Sequence, residues 1–556
     1  MGIRFSAIAT PSHRRNLFLL VAVTIVVLEF FSGKAFTIDD PLFLWLGAHL
    51  QTNPFDFFGF AVNWYGVEEP MYQVTKNPPF GGYYLALAAQ LFGSGEVALH
   101  RAFVLPAAAA AGFSYSLARR FCSRPLEAAF IGLATPAFLV SSTNVMCDTL
   151  MFALFCGSLR CWIEGLDRDR WTWLLAGSIL ASLAFLTKYF ALSLVPLFLA
   201  YGWAERRRFG GWTAFALAPL AAFAAYEMLT TALYGTGLLF DAVRFATEEA
   251  NEATTPMDVR IAVGFVFAGG CLASAVFYAP LLWSWRFLVG SLALMSGLHL
   301  LIQTELFSST GIGVPASTHV QSVVMGVGGI SLAALAVTEV WRSRDPEAWL
   351  LGLWVLGTLA FAFFFNWVNN GRSNLPIAPA LGILIVRRLD WLRSEGRAPP
   401  AAARWVALAM SMALAVAVTY SDYRWADEVR KAATGITRQF VKGGQNVYFL
   451  GHWGFQYYME AGGAQAMRSG KDWVKAGEIL VVPRNNTKVR VPSDDHAKPV
   501  ARAIHVEPSW LRTNSVEMSA GFYSSGYGSL PFVFGTAHPD VYYILVANRR
   551  LGIEPE

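Results

Sequence analysis

Directly after an apolar stretch, residues 16–36, the chain reads Thr37-Ile38-Asp39-Asp40-Pro41. Two adjacent carboxylates at such a place can do one of two things. They can mark a helix start, since an acidic residue ahead of a proline-started helix is a common N-terminal signal. Alternatively, one of them can take a proton from a reacting group. Position alone leaves these readings even, and other charged residues bear on the choice. Lys76 stands in Lys76-Asn77-Pro78-Pro79, and Asp148 opens the apolar stretch 147–164. Lys188 stands in Leu186-Thr187-Lys188-Tyr189, and Arg372 in Gly371-Arg372-Ser373-Asn374-Leu375-Pro376. Taken singly, Asp148 can cap its helix and Lys188 can snorkel to an interface. Taken together, the acidic sites and the three cations suit removal of a sugar from a phosphate. A carboxylate takes the proton of the attacking hydroxyl, and cations hold the charge that builds on the departing phosphate. Phosphate leaves as a stable anion, so no general acid is required. Glu29 and Glu227, two more acids inside apolar stretches, fit better as hydrogen-bond partners between helices.

What must position these residues is a helical body in lipid. Of 556 residues, 55% are hydrophobic and 15% charged, with mean hydropathy +0.42. An average soluble protein carries about 25% charged residues, so an ordinary soluble enzyme is excluded. The net charge of +5 does not indicate nucleic acid, because the arginines come in short clusters between apolar stretches. They read as topology signals, since cytoplasmic loops carry excess Lys and Arg. Arg14-Arg15, Arg119-Arg120-Arg124, Arg168-Asp169-Arg170, Arg206-Arg207-Arg208, Arg286, Arg342-Arg344 and Arg387-Arg388 through Arg397 are expected inside. Crossings are expected near 16–36, 97–118, 125–143, 147–164, 171–186, 188–204, 212–234, 260–282, 286–303, 319–341, 347–366, 373–389 and 404–421. That makes a polytopic α-helical protein of about thirteen spans in a bacterial inner membrane, N-terminus in the cytoplasm and C-terminus in the periplasm. Residues 80–93 are apolar too, but a crossing there would invert every later arginine cluster, so the segment is expected to run along the interface or dip in without a separate crossing. The first stretch is long and lacks a small-residue cleavage site, which reads as a retained anchor. The five cysteines fall in or beside apolar stretches, and no disulfide framework is indicated.

After Tyr420 the composition becomes mixed, with strand-like runs at 447–450, 479–482 and 541–546 between Gly and Pro turns. Two domains are expected: a membrane domain, 1–421, whose outer loop 37–96 carries the acidic pair, and a small periplasmic α/β domain, 422–556. In the latter, Gly451-His452-Trp453 fits a strand end packed by aromatics better than a sugar platform. The outer segment 236–259, with Glu248, Glu249 and Glu252, reads as a lid over an acceptor route.

With these residues in view the chain resembles the C-type glycosyltransferases (GT-C fold), in the branch that holds the dolichyl-phosphate-mannose protein mannosyltransferases and the aminoarabinose transferase of lipid A. The likeness rests on the acidic pair, Lys76-Asn77-Pro78-Pro79, the run from Leu91-Phe92-Gly93 to His100-Arg101, Tyr115-Ser116-Leu117-Ala118-Arg119-Arg120, Val145-Met146-Cys147-Asp148, Thr187-Lys188 and Gly371-Arg372. These elements follow one order over residues 37 to 380. The resemblance implies a polyprenyl-phosphate-linked sugar donor, used on the periplasmic side with inversion. It implies Asp39 or Asp40 as general base, Asp148 as a second acidic site, Lys76 at the donor phosphate and Arg372 as a helper. Three departures stand out: Asp-Asp where Asp-Glu is usual, Asn77 interrupting Lys-Pro-Pro, and Leu42 where the lipid A branch tends to have arginine. The acceptor, whether lipid A, another envelope glycan or a protein hydroxyl, therefore stays open.

Other readings predict other features. A polyprenyl-linked glycan flippase or transporter calls for ionisable residues at mid-membrane and symmetry between halves, and neither is visible. A non-catalytic envelope assembly protein leaves the charged set unexplained. A related oligosaccharide transferase would bring a divalent metal; no His or Cys ligand cluster is present, and carboxylates alone leave metal use open.

Overall fold

The computed structural model describes residues 11–252, 256–310, 316–486, 492, 496–504, 509–536 and 540–552. Most of the chain is helical, and each stretch expected to cross a membrane coincides with helical structure. Among the described residues, six helices are long and apolar enough to cross unaided: Glu96–Phe121, Cys147–Arg168, Trp212–Tyr234, Ser317–Ser343, Pro346–Phe365 and Ala401–Val441. Two bent pairs bring the number to eight: Pro125–Leu133 with Pro136–Ser142, at 67°, and Met257–Cys271 with Ser274–Leu282, at 91°. The first bend has a local cause. Thr135 precedes Pro136 and is extended at φ −134°, ψ 146°, as the proline ring demands of its predecessor.

The segment expected along the interface is a helix, Phe80–Phe92, of 13 residues. At 1.5 Å per residue it is about 20 Å long, short of a hydrocarbon core of about 30 Å. It packs on the helix Asp40–Leu50, where Gly82 faces Leu46 and Leu50, and so braces the element that begins at the acidic pair. Glycine permits another close approach at the centre of the body. A methyl on Gly132 would collide with the Ala378 carbonyl, and one on Gly382 with that of Ala128. The helices Pro125–Leu133 and Ala378–Ser394 therefore meet backbone to backbone.

Charge separates into two poles. At one, Arg120 pairs with Asp167 and Glu347, Arg124 with Glu127 and Asp390, and Arg387 with Glu339 and Asp345. These are the arginine clusters assigned to one side from the sequence, now linked across several helices. At the other pole lie Asp39, Asp148, Lys188 and Arg372. Asp148 and Asp167 sit at opposite ends of Cys147–Arg168, about 30 Å apart by helix rise.

A single helix, Ala401–Ile436, runs through the composition change near residue 421 and leads to a five-stranded sheet. In spatial order the strands are Gln465–Ala466, Val447–Phe449, Ile479–Pro483, Val541–Ala547 and Ala497–Ile504. The first two junctions are parallel and the last two antiparallel. Alternation along Ile479–Pro483 splits its side chains. Leu480 and Val482 join a small separate core with Val474, Leu545 and Leu551, while Ile479 and Val481 join the core continuous with the helices. All five cysteines are free and buried.

Candidate functional site

The acidic pair is split by the turn that carries it. Thr37 N donates to Asp40 Oδ2 at 2.8 Å, and Val145 N donates to Asp40 Oδ1 at 3.1 Å. Asp40 is fully buried, and burial pushes its carboxyl up to about 7, against the opposing pull of Lys34 and the two backbone donors. Its oxygens tie the first loop to the start of Cys147–Arg168. Asp39 occupies the cap position of Asp40–Leu50 without making a side-chain cap bond. Ile38 before it has φ +46°, a left-handed conformation that a β-branched side chain adopts only under constraint. The result is an Asp39 side chain about a third exposed (32%), with Oδ2 held by both terminal nitrogens of Arg372 at 3.2 Å.

Arg372 continues the chain of charges. It opens the 3₁₀ turn Arg372–Ile377, and its Nη1 lies 3.7 Å from Asp148 Oδ2. Asp148 is buried in the first turn of its helix and accepts from Lys188 Nζ at 2.5 Å. Asp39, Arg372, Asp148 and Lys188 thus alternate in sign along one line. Two buried atoms within it, Asp148 Oδ2 and Arg372 Nε, have no hydrogen-bond partner among the described residues. Lys188 is placed by the turn after Trp171–Phe185, and that turn also receives the lysine-proline element, because Phe80 N donates to Leu186 O at 2.9 Å. Asn77 Oδ1 accepts from Cys147 Sγ at 3.6 Å, beside Asp148.

Lys76 itself is not in this line. Its Nζ bonds Asp241 Oδ2 at 2.7 Å and lies 5.0 Å from the centre of the Phe245 ring. Both partners belong to the helix Leu238–Glu252, within the segment read as a lid. With Glu69, Tyr72, Arg244 and Glu248 they line an open cleft of about 530 Å³. Phe245 also meets the Trp367 ring edge-on at 6.1 Å, so this helix touches both the lysine element and the loop leading to Arg372. Residues 253–255 and the side chains of Glu249 and Glu252 lie outside what is described. Glu29 pairs with Arg101, and Glu227 Oε1 accepts from Leu239 N at 2.6 Å, so both link helices. His452 is buried, bonded to Gln456 Oε1 at 2.8 Å and tilted against Trp64, apart from the charged line. Among the described residues no three His, Cys, Asp or Glu side chains converge as metal ligands.

Sequence reasoning missed a group beneath the site. Lys34 Nζ lies 2.5 Å from both Asp422 Oδ2 and Asn144 Oδ1, and the pair Lys34–Asp422 is fully buried. Thr513 donates to Asp422 Oδ1 at 3.0 Å and Tyr523 to Asp422 Oδ2 at 2.7 Å. The signal was present: Lys34 is an ionisable residue inside the stretch 16–36, where a charge without a partner is costly.

Residues 76–233 match the family model of the dolichyl-phosphate-mannose-protein mannosyltransferases. The matched region contains Lys76, Asp148 and Lys188; Asp39, Asp40 and Arg372 fall outside it. No curated protein matches the chain in sequence. Among solved structures, the chain is similar to ArnT from Cupriavidus metallidurans bound to undecaprenyl phosphate, at 15% identity and TM-score 0.42, covering 84% of this chain and 92% of that one. The apo form of the same ArnT gives 15% identity and 0.40, covering 83% and 86%. The arabinosyltransferase EmbB from Mycobacterium smegmatis gives 13% and 0.35, covering 92% of this chain and 48% of that one. Over residues 76–233 the chain therefore resembles the dolichyl-phosphate-mannose-protein mannosyltransferase family, the branch to which its motif order pointed.

Proposed function

We propose that this chain is an integral-membrane glycosyltransferase of the C type that moves a sugar from a polyprenyl-phosphate donor to an acceptor hydroxyl, with Asp39 as general base. The observation that carries this reading is the line Asp39, Arg372, Asp148, Lys188, in which a carboxylate about a third exposed ends a row of paired charges around the buried Asp148. The match of residues 76–233 to the dolichyl-phosphate-mannose-protein mannosyltransferase model supports a donor of this class. In the reaction, Asp39 takes the proton of the acceptor hydroxyl as its oxygen bonds to the anomeric carbon. The bond from that carbon to the phosphate oxygen breaks, and the electron pair leaves on polyprenyl phosphate. Attack opposite the leaving phosphate inverts the centre. Arg372 and Lys188 receive the phosphate charge, with Lys76 guiding the donor once it is drawn from Asp241. A phosphate competing for Arg372 also frees Asp39 to act as a base. Asp40 anchors the loop, and Asp148 orients the two cations. The arginines gathered at the opposite pole support a reading in which that end faces the cytoplasm and the site faces the periplasm at the inner membrane.

The test is incubation of purified protein with a panel of polyprenyl-phosphate sugars and candidate lipid, glycan and protein acceptors, following release of polyprenyl phosphate. Asp39→Asn is expected to slow release by about 10²- to 10⁴-fold, the usual worth of a positioned general base. Equal consumption of donor by Asp39→Asn, Asp40→Asn and Asp148→Asn would sink the assignment. Chelation followed by metal addition is a second arm: activity lost and then restored favours the metal-dependent oligosaccharide transferase reading instead.

A further inference from the structure

Arg372 is held from below as well as from its two carboxylates. Its guanidinium carbon lies 5.5 Å from the centre of the Tyr523 ring, a residue of the C-terminal region. The Tyr523 hydroxyl donates to Asp422 Oδ2 at 2.7 Å and accepts from Asn144 Nδ2 at 3.0 Å. Lys34 fixes both of those partners, and all four side chains are buried. The backbones are joined too: Gly371 N donates to Phe522 O at 2.7 Å, and Ser525 N to Asn369 O at 2.8 Å. Residues 522–525 therefore grip the loop 369–371 just ahead of Arg372, and the hydroxyl bonds set the tilt of the ring. A desolvated cation over an aromatic face is held more firmly than an exposed one.

We propose that Tyr523 is a positioning residue of the transfer site, holding Arg372 between Asp39 and Asp148, so that the C-terminal region completes the site. What the site does rests on the function proposed above; where Tyr523 holds Arg372 does not.

The experiment reads both. Asp39 is partly exposed, so a water-soluble carbodiimide with an amine labels it, and peptide mass spectrometry of the full-length protein gives the extent. Arg372→Gln is expected to raise Asp39 labelling at least about threefold by removing its partner. Tyr523→Leu is expected to act in the same direction, and the double variant to add nothing beyond the larger single effect, as for residues acting through one another. In turnover, Tyr523→Leu is expected to lower kcat about tenfold while donor KM stays within about threefold. Wild-type labelling of Asp39 in a folded Tyr523→Leu, or additive effects in the double variant, overturns the proposal. Should the Leu variant fail to fold, Tyr523→Phe keeps the ring and loses both hydroxyl bonds. Smaller changes in the same directions support the proposal, and unchanged labelling and kcat overturn it. If the wild type turns over no donor, the transferase reading fails while the labelling still decides the positioning.

Discussion

Asp39 and Asp40 are neighbours in sequence and opposites in environment. One is partly exposed against a guanidinium; the other is sealed, with both oxygens on backbone N–H groups. Their replacements should fail differently: Asp39→Asn in turnover with little change in thermal stability, Asp40→Asn in stability first. The raised Asp40 carboxyl makes a further prediction. A carboxyl whose pKa rises from 3.8 to about 7 on folding binds more protons in the folded state across that interval. Its contribution to stability is full below the unfolded value and is lost as pH rises through about 7. Thermal unfolding in detergent should therefore show the difference in Tm between wild type and Asp40→Asn shifting against the wild type from pH 4 toward pH 7; a constant difference refutes this. The acidic pair was visible in the sequence, but its division of labour was not. That depends on the Ile38 turn and on Val145, which is far away along the chain.

At the scale of elements, two helices set the site's position and access. Ala378–Ser394 follows Arg372 directly and is seated on Pro125–Leu133 through Gly132 and Gly382. Gly382→Leu must push the backbones apart and is expected to destabilise by about 1–3 kcal/mol, read as a lowered Tm. The helix Leu238–Glu252 holds Lys76 through Asp241. Asp241→Asn should release the lysine and lower donor KM several-fold at unchanged kcat, the signature of a change in uniform binding; an unchanged KM means the ion pair does not compete with the donor. Helix positions were legible because apolar stretches of the right length leave few alternatives. The bends at Thr135 and near Leu272 were not separated out as breaks, because hydropathy is blind to backbone direction. Lys76 was grouped with the other outer cations on polarity, whereas its partner comes from a segment read only as a lid.

At the scale of the molecule, the buried pair Lys34–Asp422 joins the end of the first helical region to the helix Ala401–Ile436. Removing one partner strands the other charge in the core. Asp422→Asn is thus expected to cost about 3–5 kcal/mol, measured as loss of folded protein on heating. The boundary read from composition near residue 421 falls inside this joint, which is why composition alone could not show that residues after it complete the site. Charge separates into two poles, one built from arginine clusters and one from the line Asp39, Arg372, Asp148, Lys188. Gly93→Cys and Arg124→Cys decide the side of the short helix Phe80–Phe92: labelling of Gly93→Cys from the periplasm and of Arg124→Cys from the cytoplasm supports the expected path, and the reverse pattern refutes it. The five native cysteines, Cys122, Cys147, Cys156, Cys161 and Cys271, are all buried. The unaltered protein is therefore a quiet background for an impermeant maleimide, so reporter thiols can be introduced one at a time without first stripping the chain of its own.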